Sequence, residues 1–330
     1  MLAKLKKSGE FKLAVLFLIT WVVFGLINNY IFTLANIFSL IRASISPAIF
    51  SLALMLVMIQ GGIDMSAATI GCFGSYCAIL IVTNRGMMDI SMIWVILIAI
   101  VISVALEIMN WFLIDKLNLQ PFITTLGTST LLQGAVLAFV STSYIYTLPK
   151  QLHTFGTTYL ASAQYPDGGG TVLPLAVIVV IVLYVVVHLL LSYTRFGRNL
   201  YAIGADVEAT RRAGIKVSLT RLLMFVLVSA ISAIGAVVHD CIARSTMPNA
   251  ADLVGQELTF LAAIVLGCGG FTKAKGSVLG TLLGVLYLRF VMTNLILLGV
   301  SSFWQKFVVG IIILIGLLAQ MSSGRRQSLQ

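Results

Sequence analysis

The stretch VLPLAVIVVIVLYVVVHLLLS, residues 172–192, is followed directly by YTRFGRNLYAIGADVEATRRAGIKV, residues 193–217. The first stretch is an apolar run of about 20 residues, the length that crosses the hydrocarbon core of a bilayer as a helix. The second carries five basic residues and opens a polar insert that lasts until the next apolar run, near residue 222. This alternation of apolar runs and short charged connections predicts an all-α polytopic membrane protein.

The composition excludes other classes of protein. Of 330 residues, 59% are hydrophobic and 10% are charged, whereas a soluble globular chain carries about 25% charged residues. The apolar runs are continuous, and they do not alternate apolar with polar residues over segments of about 10 residues as the strands of a transmembrane barrel do. A helical membrane protein therefore remains.

Ten apolar runs are long enough, or nearly so, to cross a bilayer, and we expect about ten transmembrane helices. They lie at 13–33, 45–61, 66–83, 90–114, 122–144, 172–192, 222–242, 258–270, 277–298 and 306–320, the eighth being short. No detachable soluble segment separates them, so residues 1–330 are expected to form a single transmembrane domain. The first run is long and lacks a small-residue cleavage site, which indicates an uncleaved span and not a signal peptide.

The basic residues predict the orientation. Ten crossings place both termini on one side, and a cytoplasmic N-terminus puts fifteen Lys and Arg residues inside and five outside. The inside residues are Lys4, Lys6, Lys7, Lys12, Lys116, Arg195, Arg198, Arg211, Arg212, Lys216, Arg221, Lys273, Lys275, Arg325 and Arg326; the outside residues are Arg42, Arg85, Lys150, Arg244 and Lys306. Because cytoplasmic loops carry this excess, we expect a multi-pass membrane protein with both termini cytoplasmic.

Two loops stand out under this orientation. Residues 193–221 form a cytoplasmic loop, and residues 145–171, with the run Gly168-Gly169-Gly170, form the longest periplasmic loop. The net charge of +10 does not indicate a nucleic-acid partner, because the basic residues are spread over short loops. The four cysteines lie in or beside apolar runs and match no metal-binding spacing, so neither a metal site nor a disulfide is predicted.

Within the cytoplasmic loop, the residues predict a short helix. Asp206 suits the N-cap and Gly214 the C-terminal stop, while Glu208 near the start and Arg211 and Arg212 near the end suit the helix dipole. About two turns of helix are unstable alone in water, so this helix has to pack against something. The residues alone leave two interpretations open: a helix lying on its own bundle, or a docking site for a cytoplasmic partner.

The run FGRNLYAIGADVEATRRAGIKV, 196–217, resembles the cytoplasmic loop of ABC-transporter permeases of the ribose/xylose/galactoside (sugar and autoinducer-2-like) importer family. Four further stretches agree with that family in order and spacing. They are GGIDMSAATIG at 61–71, QPFITTLGTSTLLQGAVLAF at 120–139, ELTFLAAIVLGCGGFTKAKGSVLGTLLGVL at 257–286 and LLGVSSFWQKFVVGIIILI at 297–315. The resemblance covers nearly the whole chain.

The resemblance implies a permease subunit of the bacterial inner (cytoplasmic) membrane that imports a small sugar or sugar-like solute by alternating access. It also implies partners: ABC ATPase subunits, a periplasmic solute-binding protein, and a second permease copy or a homologous permease. The chain has no GxxxxGK[ST] phosphate loop, so we expect no enzyme activity and no cofactor here, with ATP and Mg bound by the partner ATPase. The docking interpretation is then favoured, and the expected ATPase-coupling residues are Gly204, Asp206, Glu208, Ala209, Arg211, Arg212 and Gly214.

Glycine interruptions in spans often mark a transport path, because irregular backbone at membrane depth is tolerated only inside protein or beside a cavity. One interruption is Gly61-Gly62, where Asp64 is suited to cap the following span; a plain turn without a ligand role is the alternative interpretation. A parallel interruption is Gly267–Gly270, in the second half of the chain. Polar residues in or beside spans are candidates for the substrate path, although helix–helix contacts would give the same pattern. These candidates are Gln60, Asp64, Ser66, Thr69, Thr124, Thr125, Thr128, Gln133 and Asn294.

Gly276, Gly280 and Gly284 are spaced four apart and share one helix face, which predicts close helix packing within the subunit or across a dimer. The preceding FTKAKG, 271–276, departs from the glycine-rich turn that the family resemblance would lead us to expect.

Two ionisable residues lie deep in predicted spans: Glu107, where the family usually has a small residue, and Arg289. Because an unpaired charge at this depth is costly, a Glu107–Arg289 pair is one hypothesis; snorkelling of Glu107 and a wet cavity around Arg289 are the alternatives. His188 and the His239-Asp240 pair lie towards span ends and indicate interface positions.

Two other functions stay open. An ion-gradient-driven secondary transporter or channel would need intramembrane carboxylates, and only Glu107 is deep enough to serve. An inert assembly or scaffold subunit is the third function to distinguish.

Overall fold

The computed structural model describes residues 9–248, 253, 255–268, 276–301, 303–305, 307, 308, 310, 311 and 314. The helices are α1 (Gly9–Ile27), α2 (Leu34–Ile59), α3 (Ala67–Asn84), α4 (Met92–Trp111), α5 (Pro121–Ala135), α6 (Lys150–Thr157), α7 (Val177–Tyr193), α8 (Arg195–Ala205), α9 (Val207–Arg212), α10 (Val217–Ala243), α11 (Glu257–Cys268) and α12 (Val278–Leu297). A 3₁₀ turn (Asn29–Phe32) precedes α2, and π-helical turns extend α4 (Phe112–Lys116) and α5 (Val136–Val140).

Seven of the described helices are long and apolar enough to cross a membrane: α1, α2, α3, α4 with its π turn, α5 with its π turn, α10 and α12. Helix α7 adds an eighth span when it is counted together with α8, although the two are bent by 73°. Helix α11 has 12 residues and is therefore about 18 Å long. That is shorter than the hydrocarbon core of roughly 30 Å.

Nine of the ten predicted spans coincide with a described helix, and the all-α polytopic fold class is confirmed. Residues 307, 308, 310, 311 and 314 of the tenth predicted span, 306–320, are described and helical, and the rest of that span lies outside the described residues. Residues 271–275 of FTKAKG are also outside them, as are Gly269 and Gly270 of the second predicted interruption.

The predicted start of the second span is wrong. Helix α2 begins at Leu34, so Arg42 lies on the helix and not in a loop. The run from Ser44 to Pro47 has the composition of a break, but the Ser44 hydroxyl donates to the Leu40 carbonyl at 2.7 Å and Pro47 is accommodated inside the helix. Membrane helices tolerate proline where neighbouring groups satisfy the freed backbone.

The bundle has an interior and a periphery. Helix α2 is 78% buried along its span and α3 is 72% buried, whereas α1 is 11% buried and α4 is 22% buried. Helix α10 packs against α2, α3 and α4, and α12 packs against α2 and α11. The peripheral helices turn large apolar side chains outward, among them Leu26 and Phe139, as expected for a surface that faces lipid.

Glycines set the spacing between several helices. A Cβ atom on Gly284 would lie 1.9 Å from the Ala263 carbonyl oxygen, and one on Gly267 would lie 1.8 Å from the Gly280 carbonyl oxygen. Gly276 lies against the side chain of Ile59 in α2. The three glycines spaced four apart therefore face α11 and α2 of the same chain, and the backbones there approach as small residues permit.

The region 145–171 is more ordered than the predicted loop. It contains α6, and strands β1 (Tyr159–Gln164) and β2 (Gly170–Pro174) form an antiparallel hairpin in which Ala161 pairs with Leu173. The hairpin packs against α2. Strand β1 is largely exposed and β2 is mostly half-buried, and no clear apolar alternation marked them in the sequence. Pairing and contact with a helix are what stabilise a two-stranded ribbon.

Candidate functional site: an exposed inter-span helix and a buried polar network

Helix α9 is bounded by the two residues expected to bound it. Asp206 Oδ1 accepts hydrogen bonds from the backbone N–H groups of Glu208, at 2.9 Å, and Ala209, at 3.0 Å, which satisfies two of the amides left free at a helix start. Gly214 follows the helix with a φ of +80°, a conformation that favours glycine. Glu208 and Arg211 form an exposed ion pair with 2.9 Å between Oε1 and Nη1.

Most of the expected coupling residues form one exposed surface. Its members are Asp206, Glu208, Ala209, Arg211, Arg212 and Gly214. Thr210 is the buried residue of α9 and faces the bundle. Gly204 is also buried, in α8; it lies behind the exposed surface and supports it without forming part of it.

Helix α8 attaches α9 to the bundle. One face of α8, which includes Leu200 and Ile203, is buried. The Tyr201 hydroxyl donates to the Gly276 carbonyl at 2.7 Å, just before α12 begins. Burial, with a smaller contribution from the nearby Cys268 thiol, raises the pKa of the Tyr201 phenol, so the hydroxyl keeps its proton and remains a donor.

The bend between α7 and α8 is tight. A Cβ atom on Gly197 would lie 2.2 Å from the Leu191 carbonyl oxygen, so a side chain at this position would collide with backbone. The Thr194 hydroxyl caps α8 by accepting from the Gly197 N–H at 3.2 Å. The orientation of α8 relative to α7 is therefore fixed by backbone contact.

An ion pair fastens the other end of the insert. Arg221 Nη1 lies 3.1 Å from Asp115 Oδ1, and the two side chains are 24% and 8% exposed. The Ser218 hydroxyl donates to the second oxygen of Asp115 at 2.5 Å. These contacts join the end of α4 to the start of α10. Sequence analysis missed Asp115 because no neighbouring residue in the chain indicates that Arg221 is its partner.

Four of the predicted path residues come together in a buried polar network. Asp64 Oδ1 accepts from the Ser66 N–H and hydroxyl, both at 2.7 Å, and the Met65 N–H donates to the Thr125 hydroxyl at 3.0 Å. Asp64 does not cap α3 as expected; it closes a turn onto Ser66, which occupies the N-cap position.

Asn110 of α4 is the centre of this network and was not predicted. Its amide nitrogen donates to the Ser66 hydroxyl at 2.8 Å, and its oxygen accepts from the Thr128 hydroxyl at 2.7 Å. Asn110 is fully buried. An asparagine in an apolar span was a signal that sequence reasoning could have used, because polar side chains in spans commonly hydrogen-bond across helices.

The hypothesis of a Glu107–Arg289 pair is wrong. Glu107 is fully buried, and its Oε2 atom accepts from the Asn110 amide at 3.1 Å. Arg289 instead donates to Gln256 Oε1 at 2.6 Å. The two residues belong to different clusters. The hypothesis failed because depth in the membrane does not indicate which helix faces Glu107.

Two adjoining concavities lie between α3, α5 and α10 and share Cys72. Thr69 and Gln133 line one of them, next to Phe73 and Pro248. The Ser129 hydroxyl joins these two path candidates, at 2.8 Å from the Thr69 hydroxyl and 3.1 Å from Gln133 Nε2.

The remaining path candidates lie elsewhere. The Thr124 hydroxyl donates to the Gln120 carbonyl of its own helix, and Asn294 accepts from the Asn36 amide at 3.0 Å in a separate buried contact. Gln60 lies at the C-terminal end of α2, outside both concavities.

The second concavity includes His239 and Asp240, which the sequence had placed at an interface. Asp240 is buried and accepts from the Ser75 hydroxyl at 2.5 Å. His239 Nδ1 lies 3.1 Å from the Ser46 hydroxyl. The two concavities thus carry hydroxyl, amide, imidazole and carboxylate groups, a set that can donate to and accept from a neutral polar solute.

The comparisons with known proteins agree with the motifs. The family model described as "Branched-chain amino acid transport system / permease component" matches residues 36–317. The chain is 30% identical to the ribose import permease protein RbsC of Bacillus subtilis (strain 168), over 90% of this chain and 88% of that protein. It is 27% identical to RbsC of Escherichia coli (strain K12), over 94% and 92%, and 27% identical to the galactose/methyl galactoside import permease protein MglC of the same strain, over 93% and 92%. No solved structure matches the chain significantly.

The matched range begins within α2 and includes the buried network, both concavities and the insert with α8 and α9. The similarity therefore extends over the architecture as a whole and is not confined to one motif. The chain belongs to this family of ABC-transporter permease components, and the resemblance inferred from its motifs is confirmed.

Proposed function

We propose that this chain is the membrane-spanning permease subunit of an ATP-driven importer for a sugar or sugar-like solute. The observation that carries the proposal is α9: a capped, charged, exposed helix held between two spans of a chain that has no phosphate loop of its own. Such a chain has to receive conformational work from another subunit. Separate ABC ATPase subunits, which bind the ATP and Mg, supply it at α9.

The charges on α9 suit a protein partner. An exposed ion pair such as Glu208–Arg211 contributes only about 0–1 kcal/mol to folding, so its members can exchange partners at little cost. Arg212 and Asp206 extend the same exposed surface. Because α8 joins this surface to α7 and to the start of α12, a movement of α9 reaches the bundle through packed helix.

The two concavities have volumes of about 10 Å³ each, so they would have to widen to admit a sugar, and it is the chemistry of their side chains that favours a neutral polar solute. Among the described residues, the side chains that line them include hydroxyls, Gln133, His239 and Asp240, and no lysine or arginine. An amino acid would bring a carboxylate that needs a cationic or N–H-rich partner. The relatives named for ribose and for galactosides therefore indicate the solute class better than the amino acid in the family description.

In the complete transporter, two permease copies, or this chain and a homologous permease, enclose the path. A periplasmic solute-binding protein delivers the solute, and the path candidates Thr69 and Gln133 contact it as access alternates. The transporter lies in the inner membrane with both termini cytoplasmic, which is the orientation that the basic residues favour.

The test reverses the charges of α9. We expect the triple variant E208K/R211E/R212E to lose both co-purification of the ATPase and solute uptake in vesicles, while membrane insertion stays normal. A matched control is D89K/K150D, which reverses another exposed ion pair, 2.8 Å between Asp89 and Lys150, and should leave the ATPase bound. Normal uptake by the triple variant would refute the coupling assignment.

Two further measurements distinguish the other functions. Uptake that persists without the ATPase and collapses with an uncoupler would identify an ion-gradient-driven transporter. Failure of any solute to enter vesicles that contain the complete complex would favour a scaffold subunit. Competition of labelled ribose uptake by galactosides but not by leucine is expected for a sugar path.

A further inference from the structure

The connection between α2 and α3 places the Asp64 carboxyl group in the interior of the helix bundle, away from solvent. After Gly61, which has a φ of +92°, the chain turns inward so that Asp64 and Ser66 are fully buried. Asp64 Oδ1 is occupied by the two hydrogen bonds from Ser66. Its other oxygen, Oδ2, is buried and has no hydrogen-bond partner among the residues that the structure describes.

Glu107 of α4 is likewise a buried carboxyl group with one oxygen in a hydrogen bond and the other without a donor among the described residues. Its side chain is 0% exposed. Oε2 accepts from Asn110, whereas Oε1 is buried and lacks a hydrogen-bond donor in the described part of the chain. The two carboxyls belong to one hydrogen-bond network, because Asn110 Nδ2 donates both to Glu107 Oε2 and to the Ser66 hydroxyl, at 2.8 Å, and that hydroxyl donates to Asp64 Oδ1. Within this network the Glu107 and Asp64 side chains interact directly. Because Oδ1 and Oε2 are already in use, the two oxygens without a donor are the ones left for this contact.

Within the part of the chain that the structure describes, no basic side chain forms an ion pair with Asp64 or Glu107. The side chains that α5 contributes to the network, Thr125 and Thr128, are neutral, and α3 meets α10 there through Gly71 and Ser232. The next charged group on α4, Asp115, is about 12 Å further along the helix and is neutralised by Arg221 of α10.

Two carboxylates in contact cannot both remain ionised away from water, because their repulsion adds to the cost of burying each charge. Two acceptor oxygens in contact also need a hydrogen atom between them. One bound proton satisfies both requirements. The donors favour charge on Asp64, which accepts from two groups through Oδ1, over charge on Glu107, which accepts from a single neutral amide.

We propose that Asp64 and Glu107 form a proton-binding site, in which one proton is carried by Glu107 Oε1 and donated to Asp64 Oδ2. The resulting hydrogen bond joins the α2–α3 connection, at Asp64, to α4, at Glu107. The pair carries a single negative charge, which the Ser66 hydrogen bonds stabilise. This site lies apart from α9 and does not depend on how the ATPase docks.

A sodium ion is the rival ligand. It would sit between two ionised carboxylates and would need several further oxygen ligands around it, whereas one oxygen of each carboxyl already accepts hydrogen bonds from Ser66 or Asn110. The two ligands make different predictions, because a proton gives a protonated carboxyl group and a sodium ion does not.

The test is infrared spectroscopy of the purified full-length protein, which reports the carbonyl stretch of a protonated carboxyl group. We expect this band in the wild type and its loss in Glu107→Gln, where the amide replaces the protonated acid and still donates to Asp64. A matched control is Asp115→Asn, which changes a half-buried carboxylate at the π-helical end of the same helix that pairs with arginine; this variant should keep the band.

A second measurement keeps the outcome decisive if a variant is unstable. We expect thermal unfolding in detergent to show the same midpoint for Glu107→Gln as for the wild type and a lower midpoint for Glu107→Ala, with no effect of replacing sodium by choline. An unchanged infrared band in Glu107→Gln would overturn the proposal. A sodium-dependent midpoint that disappears in Glu107→Gln would also overturn it and assign the site to a cation.

Discussion

Asp64 and Asp206 occupy the same kind of position and have opposite surroundings. Each lies in a break between two helices, and each uses its Oδ1 atom to accept two hydrogen bonds from residues two or three positions later. Asp206 is exposed, whereas Asp64 is fully buried. The comparison shows that one local turn motif can either present a charge to water or carry it into the bundle, depending on what surrounds it.

The difference has energetic consequences. Around Asp206 every charged side chain can exchange its partner for water, so losing a contact costs little. Around Asp64 each lost hydrogen bond leaves a buried polar atom without water to replace the partner, which costs the full desolvation of that atom. The first environment suits a surface that binds and releases another protein; the second fixes helices in place.

The largest effect is expected at the centre of the buried network. Asn110→Leu removes the partner of Ser66, Glu107 and Thr128 while keeping the side-chain volume, and we expect a loss of about 3 kcal/mol in stability. Thermal unfolding in detergent measures it. Asn84→Leu, at an exposed position at the end of α3, is the control and should change little. Equal unfolding midpoints for the two variants would contradict the expectation that a lost hydrogen bond costs more in the buried network than at the surface.

An intermediate effect is expected where burial is intermediate. Asp115→Ala leaves Ser218 and Arg221 without their acceptor, but Arg221 is partly exposed and can reach water, so a loss of about 1–2 kcal/mol is expected. Asp115→Asn should recover part of it, because the amide oxygen still accepts from Ser218. Denaturant unfolding of both variants checks the order; a loss as large as that of Asn110→Leu would contradict it.

The smallest effect on stability is expected at Asp206. Asp206→Ala removes the cap of α9 and costs about 1 kcal/mol of helix stability, with the global midpoint unchanged. Hydrogen–deuterium exchange should accelerate at the amides of 208–212 and nowhere else. Asn also caps helices well, so Asp206→Asn should keep the protection. Unaltered exchange in the alanine variant would show that the neighbouring helix, and not the cap, holds α9.

Properties encoded locally could be predicted from the sequence. The spans follow from apolar runs, and the bounds of α9 follow from Asp206 and Gly214, because caps act on amides within one turn. The start of α2 was misjudged, because the predicted span began at residue 45 whereas the helix begins at Leu34.

Properties that depend on which helices are neighbours could not be predicted. Glu107 was assigned a partner by depth alone, yet Asp64 and Asn110 are the groups it contacts. Asn110, Asp115 and Asp240 meet their partners through packing that no spacing in the chain reveals. The hairpin of β1 and β2 was missed because it depends on cross-strand pairing and on contact with α2.

The close approach of Gly197 to the Leu191 carbonyl leaves the bend between α7 and α8 without space in which to flex. If a partner displaces α9, we therefore expect α8 to move as a rigid element and to carry α7 with it. The Tyr201–Gly276 hydrogen bond would pass the same displacement to the start of α12, so that two separate spans would respond to one contact.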